Sequence, residues 1–163
     1  MASLARRAAL IVALVCSGAV SAGGDAPAAT PQAAAYDAAL AQRTGADERG
    51  MRPYVLVILK SSTTSVPKGE ARDAMFRGHF ANMERLAKDG KLVLAGPLDG
   101  VDGWRGLFVL ATDDLEQARA WVATDPVVAQ GEMVPELHKL YGSAALMLVN
   151  EFHAKLQPAK PAD

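Results

Sequence analysis

His79 and Asp125 are the two side chains whose type and setting point most directly to chemistry. His79 lies three residues after Phe76 and four before Met83, a spacing that puts it on the inner face of a helix or at its margin. Gly78 precedes it, and a glycine inside a helix costs about 1 kcal/mol relative to alanine. Such a glycine suits a place where another element comes close. Asp125 stands before Pro126, where the backbone is pushed out of the helical region. Brought together, the two would form an acid–base pair, because a carboxylate beside an imidazole fixes its tautomer and suits it to take or give a proton. Each also has a plainer reading. His79 could be a hydrogen-bonded core histidine beside a helix-packing glycine, and Asp125 could be local turn chemistry. Spacing alone does not make them meet.

Other residues offer weaker chemistry. Gly96-Pro97 ends a strand where a close backbone approach is possible, though a plain strand-ending turn explains it as well. Trp104 and Arg105 flank the next strand and could line a pocket, or serve as core and rim; Gly96, Pro97 and Trp104 are the expected pocket walls. Glu132, Glu136 and His138 alternate, which would put one imidazole and two carboxylates on one strand face. That set lacks the ligand spacing of a zinc site and reads as a polar sheet face, so no metal and no cofactor is expected. His138 and His153 leave a haem or metal binder conceivable, without a supporting pattern. Glu151 and His153 read as solvated. There is no GxSxG elbow, phosphate-binding glycine loop or dinucleotide fingerprint.

The elements that must position these residues follow from periodicity. Strands are expected at Tyr54–Lys60, Leu92–Gly96, Trp104–Ala111 and Met133–Tyr141, the last with Pro135 hinting at a sheet edge. A helix over Ala71–Asp89 should stop at Gly90 and bury Phe76, Phe80, Met83 and Ala87, with Leu86 alongside. A second helix should start at an Asp113…Glu116 capping box and run to about Ala123, with one further turn over Val127–Gly131. A final helix should occupy Ser143–Leu156. The order β-α-β-β-α-β plus a C-terminal helix is the ferredoxin-like pattern of an α+β domain. Tyr54, Leu56 and Ile58 alternate with Val55, Val57 and Leu59, so both faces of the sheet demand cover. Helices cover one. A second subunit, or the extra helices of this chain, must cover the other, and a symmetric homodimer with sheets packed face to face is the favoured arrangement.

Residues 1–22 read as a secretion signal: Arg6 and Arg7, an apolar run from Ala8 to Val15 too short to span a bilayer, then Val20-Ser21-Ala22 as a small-residue cleavage site. Cleavage after Ala22 would remove Cys16, the one cysteine, and leave neither a disulfide nor a thiol nucleophile. Lipid attachment at Cys16 ranks second, since Val15 is not small. Twin-arginine export fits the flanking residues poorly. Removing residues 1–22 takes the formal net charge from −1 to −3, which gives no electrostatic reason to bind nucleic acid. The expected organisation is therefore a signal over 1–22, a linker with a short helix from Tyr36 to Arg43 over 23–50, a domain over 51–141, a helix over 142–157 and a tail over 158–163. After cleavage the chain should be periplasmic or secreted, with no stable membrane insertion.

One family is similar in these residues. His79-x6-Leu86-x3-Gly90-Lys-Leu92-x3-Gly96-Pro97, a glycine-rich hairpin, and a second helix ending in Asp125-Pro126 and Gly131 together resemble the YCII-related domain, over roughly Met51 to Tyr141. The resemblance implies a dimeric α+β barrel of ferredoxin-like subunits, and it implies His79 and Asp125 as the active-site pair. Relatives that act on chlorinated aromatic rings, and muconolactone isomerase on the same fold, imply cofactor-independent proton transfer on a small organic molecule by a lyase or isomerase. The alternative is a periplasmic small-molecule binding or assembly module without turnover, in which the pair is a polar pin.

Overall fold

The structure is a computed structural model and describes residues 35–158. The expected signal, residues 1–22, and the linker as far as residue 34 lie outside the described residues, as does the tail from 159. Helix α1 spans Ala38–Thr44; Asp37 caps it by accepting from the Leu40 N–H, and Gly45 ends it at φ 66°. Then follow β1 (Met51–Ser61), α2 (Glu70–Lys88), β2 (Leu92–Pro97), β3 (Trp104–Leu110), α3 (Leu115–Val122), α4 (Pro126–Ala129) and β4 (Met133–Ser143), with a 3-10 turn at Ala144–Leu148 and α5 (Val149–Leu156) closing the chain. The four strands form one antiparallel sheet in the order β2-β3-β1-β4. That is the ferredoxin-like arrangement, so the domain is α+β as its element order requires. Pro135 sits on β4, an edge strand, where a missing N–H is tolerated. Among the described residues no helix is long and apolar enough to cross a membrane.

Both sheet faces are apolar. Val55, Val57 and Leu59 of β1 pack with Phe108, Leu110, Met75 and Leu86 on the helix side. Tyr54, Val93 and Val109 pack on the far side with Leu56, Leu107, Leu146 and Met147. The 3-10 turn after β4 therefore covers one end of the far face from the same chain. The Tyr54 hydroxyl donates to the Ser143 carbonyl at 2.9 Å and pins the start of that turn.

Several expected boundaries move. β1 begins at Met51, so β4 gains partners and pairs through Met51↔Ser143, and the final helix expected over Ser143–Leu156 shortens to α5. Asp114, not Asp113, caps α3: its carboxylate accepts from the Glu116 and Gln117 N–H groups. Most consequential is α2. Its buried stripe is Met75, His79, Asn82 and Leu86, while Phe80 is 57 % exposed. Of the expected stripe, Leu86 is buried and Phe76, Met83 and Ala87 pack against the core, while Phe80 does not; Phe76, Phe80 and Met83 also line a cavity.

Candidate active site

The cavity lies on the helix side of the sheet, between α2 and the β2–β3 end, with a volume of about 400 Å³. This lies within the range of small-molecule sites. Leu59, Phe76, Phe80, Met83, Phe108 and Met133 supply most of its wall, and His79 lines it. The Phe108 ring is stacked on the imidazole at 6.1 Å and Phe76 stands edge-on at 6.3 Å.

His79 and Asp125 meet. The imidazole Nδ1–H donates to the Asp125 carboxylate, with Nδ1 at 2.9 Å from Oδ1 and 2.8 Å from Oδ2. Local structure explains why Asp125 is there. It is the N-cap of α4, its Oδ1 accepts from the Val127 N–H at 3.1 Å, and Pro126 fills the first helical position with a preset φ. A short turn thus fixes the carboxylate, which is fully buried. Gly78 brings that turn against α2: a Cβ at this position would stand 3.0 Å from Cγ of Pro126. The helix glycine admits the proline that presents the aspartate.

The bond fixes the tautomer. An ionised carboxylate only accepts, so in the neutral ring the proton sits on Nδ1 and Nε2 keeps its lone pair. Among the described residues Nε2 has no hydrogen-bond partner, and it is the nitrogen left to the cavity that His79 lines. The ring is oriented by a buried anchor and exposes one basic nitrogen to a mostly apolar space, an arrangement able to transfer a proton.

Gly96 and Pro97 line the cavity as well. Gly106 faces them across β2 and β3, where a Cβ would lie 3.2 Å from the Gly96 carbonyl oxygen. Trp104 does not belong to this wall. Leu59 pairs with Gly106 but Lys60 pairs with Trp104, so Arg105 is the extra residue of a β-bulge. The bulge reverses the alternation, sends Trp104 to the far face with Lys60, and turns Arg105 to the cavity. Of these two flanking residues, it is Arg105 that lines the site. Bulges leave no reliable mark in a sequence, so the strand's own residues do not show which of the two turns to the cavity.

The strand-four trio does not converge. His138 bonds Glu136 at 2.7 Å in an exposed pair. Glu132 lies before β4, buried, with Arg72 at 2.6 Å and the Val66 N–H at 2.8 Å. Burial pushes the Glu132 carboxyl up, but the Val66 N–H and the Arg72 guanidinium outweigh it and hold the group below the usual glutamate value. This clamp ties the loop before α2 beside the cavity wall. Among the described residues no group of three His, Cys, Asp or Glu side chains is placed to hold a metal.

Comparison with known proteins adds relatives. Over 70 residues the chain is 37 % identical to Protein YciI of Escherichia coli O6:H1 (strain CFT073), an alignment covering 38 % of this chain and 71 % of that protein. Protein YciI of Shigella flexneri matches equally. Among solved structures, 5-chloro-2-hydroxyhydroquinone dehydrochlorinase from Burkholderia phenoliruptrix AC1100, in complex with 2,5-dihydroxybenzoquinone, is 17 % identical over 52 % of this chain and 90 % of that one, with a TM-score of 0.37. The model of the YCII-related domain matches residues 53–135, a stretch that takes in most of β1, all of β2 and β3, both members of the buried pair and the start of β4; the chain belongs to the YCII-related domain family.

Proposed function

We propose that this protein is a cofactor-independent lyase or isomerase of small organic molecules, with His79 as its general base and acid. The observation that carries the reading is the Nδ1–carboxylate bond, which leaves Nε2 basic toward the cavity. Nε2 takes a proton from an acidic C–H of the substrate. In an isomerisation it returns that proton to another atom of the same carbanion. In an elimination the electron pair expels a leaving group from the adjacent carbon, and the proton passes to solvent. Neither course needs an oxidant or reductant. Asp125 does not touch substrate; it positions the ring and balances the imidazolium formed midway.

The test is hydrogen–deuterium exchange in D₂O, followed by NMR, on a panel of small cyclic carbon acids such as lactones, cyclohexadienones and 1,3-diketones. The wild-type protein should exchange at least one, and His79→Gln should slow that exchange about 100-fold or more. A panel that binds but never exchanges favours the second reading, a binding module in which the pair is a pin. That reading draws on Asp125 capping α4 while joining it to α2.

We place the protein in the periplasm or outside the cell, as a homodimer. Export is supported by the Arg6-Arg7, apolar-run and Ala22 pattern. Dimerisation is supported by the far sheet face. Trp104, Lys60 and Val134 are register partners across three strands, and Trp104 and Val134 are 40 % and 52 % exposed there, at the end the 3-10 turn does not cover.

A further inference from the structure

Among the described residues Arg105 is the one permanently charged side chain on the cavity wall. Among the described residues its guanidinium makes no ion pair, and no ring carries it as a cation–π partner. The nearby buried carboxylate, Glu132, feels the Arg105 charge at longer range, but its close partners are Arg72 and the Val66 N–H. The position of Arg105 is nonetheless built. It is the bulge residue of β3, and its carbonyl accepts from the Leu98 N–H at 3.0 Å, which fixes the turn of the chain there. A bulge aims this cation at a cavity whose other walls are Phe76, Phe80, Met83 and Phe108. A guanidinium beside apolar walls attracts an anion more strongly than it would in open water, and its planar fork matches a carboxylate or a phenolate oxygen.

We propose that Arg105 is the specificity-determining residue of the site and selects a small, ring-sized organic acid by its negative oxygen, within the cavity that His79 lines. This rests on the proton-transfer reading for its role in turnover, where the same cation would hold an oxygen gaining charge as His79 removes a proton. Selection of the anion stands on the cavity alone.

The test uses two probes of one shape and different charge, benzoate and benzyl alcohol, titrated into the purified protein and followed by NMR. Benzoate should bind the wild-type protein about 10-fold or more tightly than benzyl alcohol. Arg105→Gln should remove that preference and leave benzyl alcohol unchanged; Arg105→Lys should keep part of it. A merely structural arginine would weaken both probes together, and that result overturns the proposal. So does a benzoate affinity that Arg105→Gln leaves intact, or a wild-type cavity that takes neither probe. His79→Gln separates this proposal from the proton-transfer reading: it should silence exchange yet keep the preference for benzoate. If His79→Gln alone erases the preference, the imidazolium holds the anion and Arg105 does not.

Discussion

At the scale of single residues, the site depends on which way one proton points. Asp125 offers two oxygens; they lie 2.9 and 2.8 Å from Nδ1, and Oδ1 also accepts from the Val127 N–H. In Asp125→Asn the amide oxygen should keep that bond, which turns the NH₂ toward Nδ1. An NH₂ donates, and at 2.8 Å from Nδ1 it should favour the tautomer that accepts at Nδ1 and carries its proton on Nε2. The variant should therefore fold, yet lose exchange activity by about 100-fold or more; an Asp125→Asn protein with wild-type exchange rates contradicts this. Asp125→Ala removes both bonds at a buried position and should cost about 2 kcal/mol or more in urea denaturation. Gly78→Ala makes the opposite point. The substitution should gain about 1 kcal/mol of helix propensity, but its Cβ meets the rigid Pro126 ring at 3.0 Å. Overpacking of this kind costs about 1–3 kcal/mol, so a net loss on the order of 1 kcal/mol is expected. An alanine variant more stable than the wild type would show that the turn moves freely.

At the scale of elements, the Glu132 clamp joins the loop before α2 to the start of β4. Its folded carboxyl lies below the ordinary value, because the Val66 N–H and Arg72 outweigh the cost of burial. Folding therefore holds a carboxylate that the unfolded chain protonates more readily. This stabilisation is present above the unfolded glutamate value of about 4.5 and is lost as pH falls through the lower folded value. Denaturation midpoints should fall on acidification over that window, and Glu132→Gln should flatten this part of the profile; an unchanged slope in the variant contradicts it. The number, type and order of β1 to β4 and α2 to α3 can be read from periodicity and turn residues, and so can the inner placement of His79. Three features resist that reading for physical reasons. The Arg105 bulge depends on pairing between strands, which no single strand records. The buried stripe of α2 contains His79 and Asn82, and Asn82 is tolerated there because its Oδ1 accepts from Arg85 and Thr124. Judged by polarity, Asn82 reads as surface, and Phe80, which reads as core, is exposed at the cavity. The end of β4 runs on because β1 is long enough to pair with it, a tertiary effect.

At the scale of the whole molecule, the proposed homodimer rests on the far face of the sheet. The 3-10 turn buries the Tyr54, Val93 and Val109 end, while Trp104 and Val134 remain bare at the other. Light scattering should give twice the mass of one chain, and Trp104→Glu should halve it without unfolding the protein. A wild-type protein that stays monomeric at high concentration would show that this face needs no partner. For export, the protein recovered from the periplasm of its host should begin at Gly23 by mass spectrometry; a chain retaining Met1 would contradict cleavage after Ala22.

Proton transfer at this site requires that Asp125 leave Nε2 of His79 as the free base. Long-range ¹H–¹⁵N NMR on labelled protein, at a pH where the ring is neutral, reads this directly. A protonated Nδ1 with a bare Nε2, reversed in Asp125→Asn, is the expected result. A proton on Nε2 in the wild-type protein, or a tautomer that ignores the substitution, would contradict the proposed chemistry at its centre.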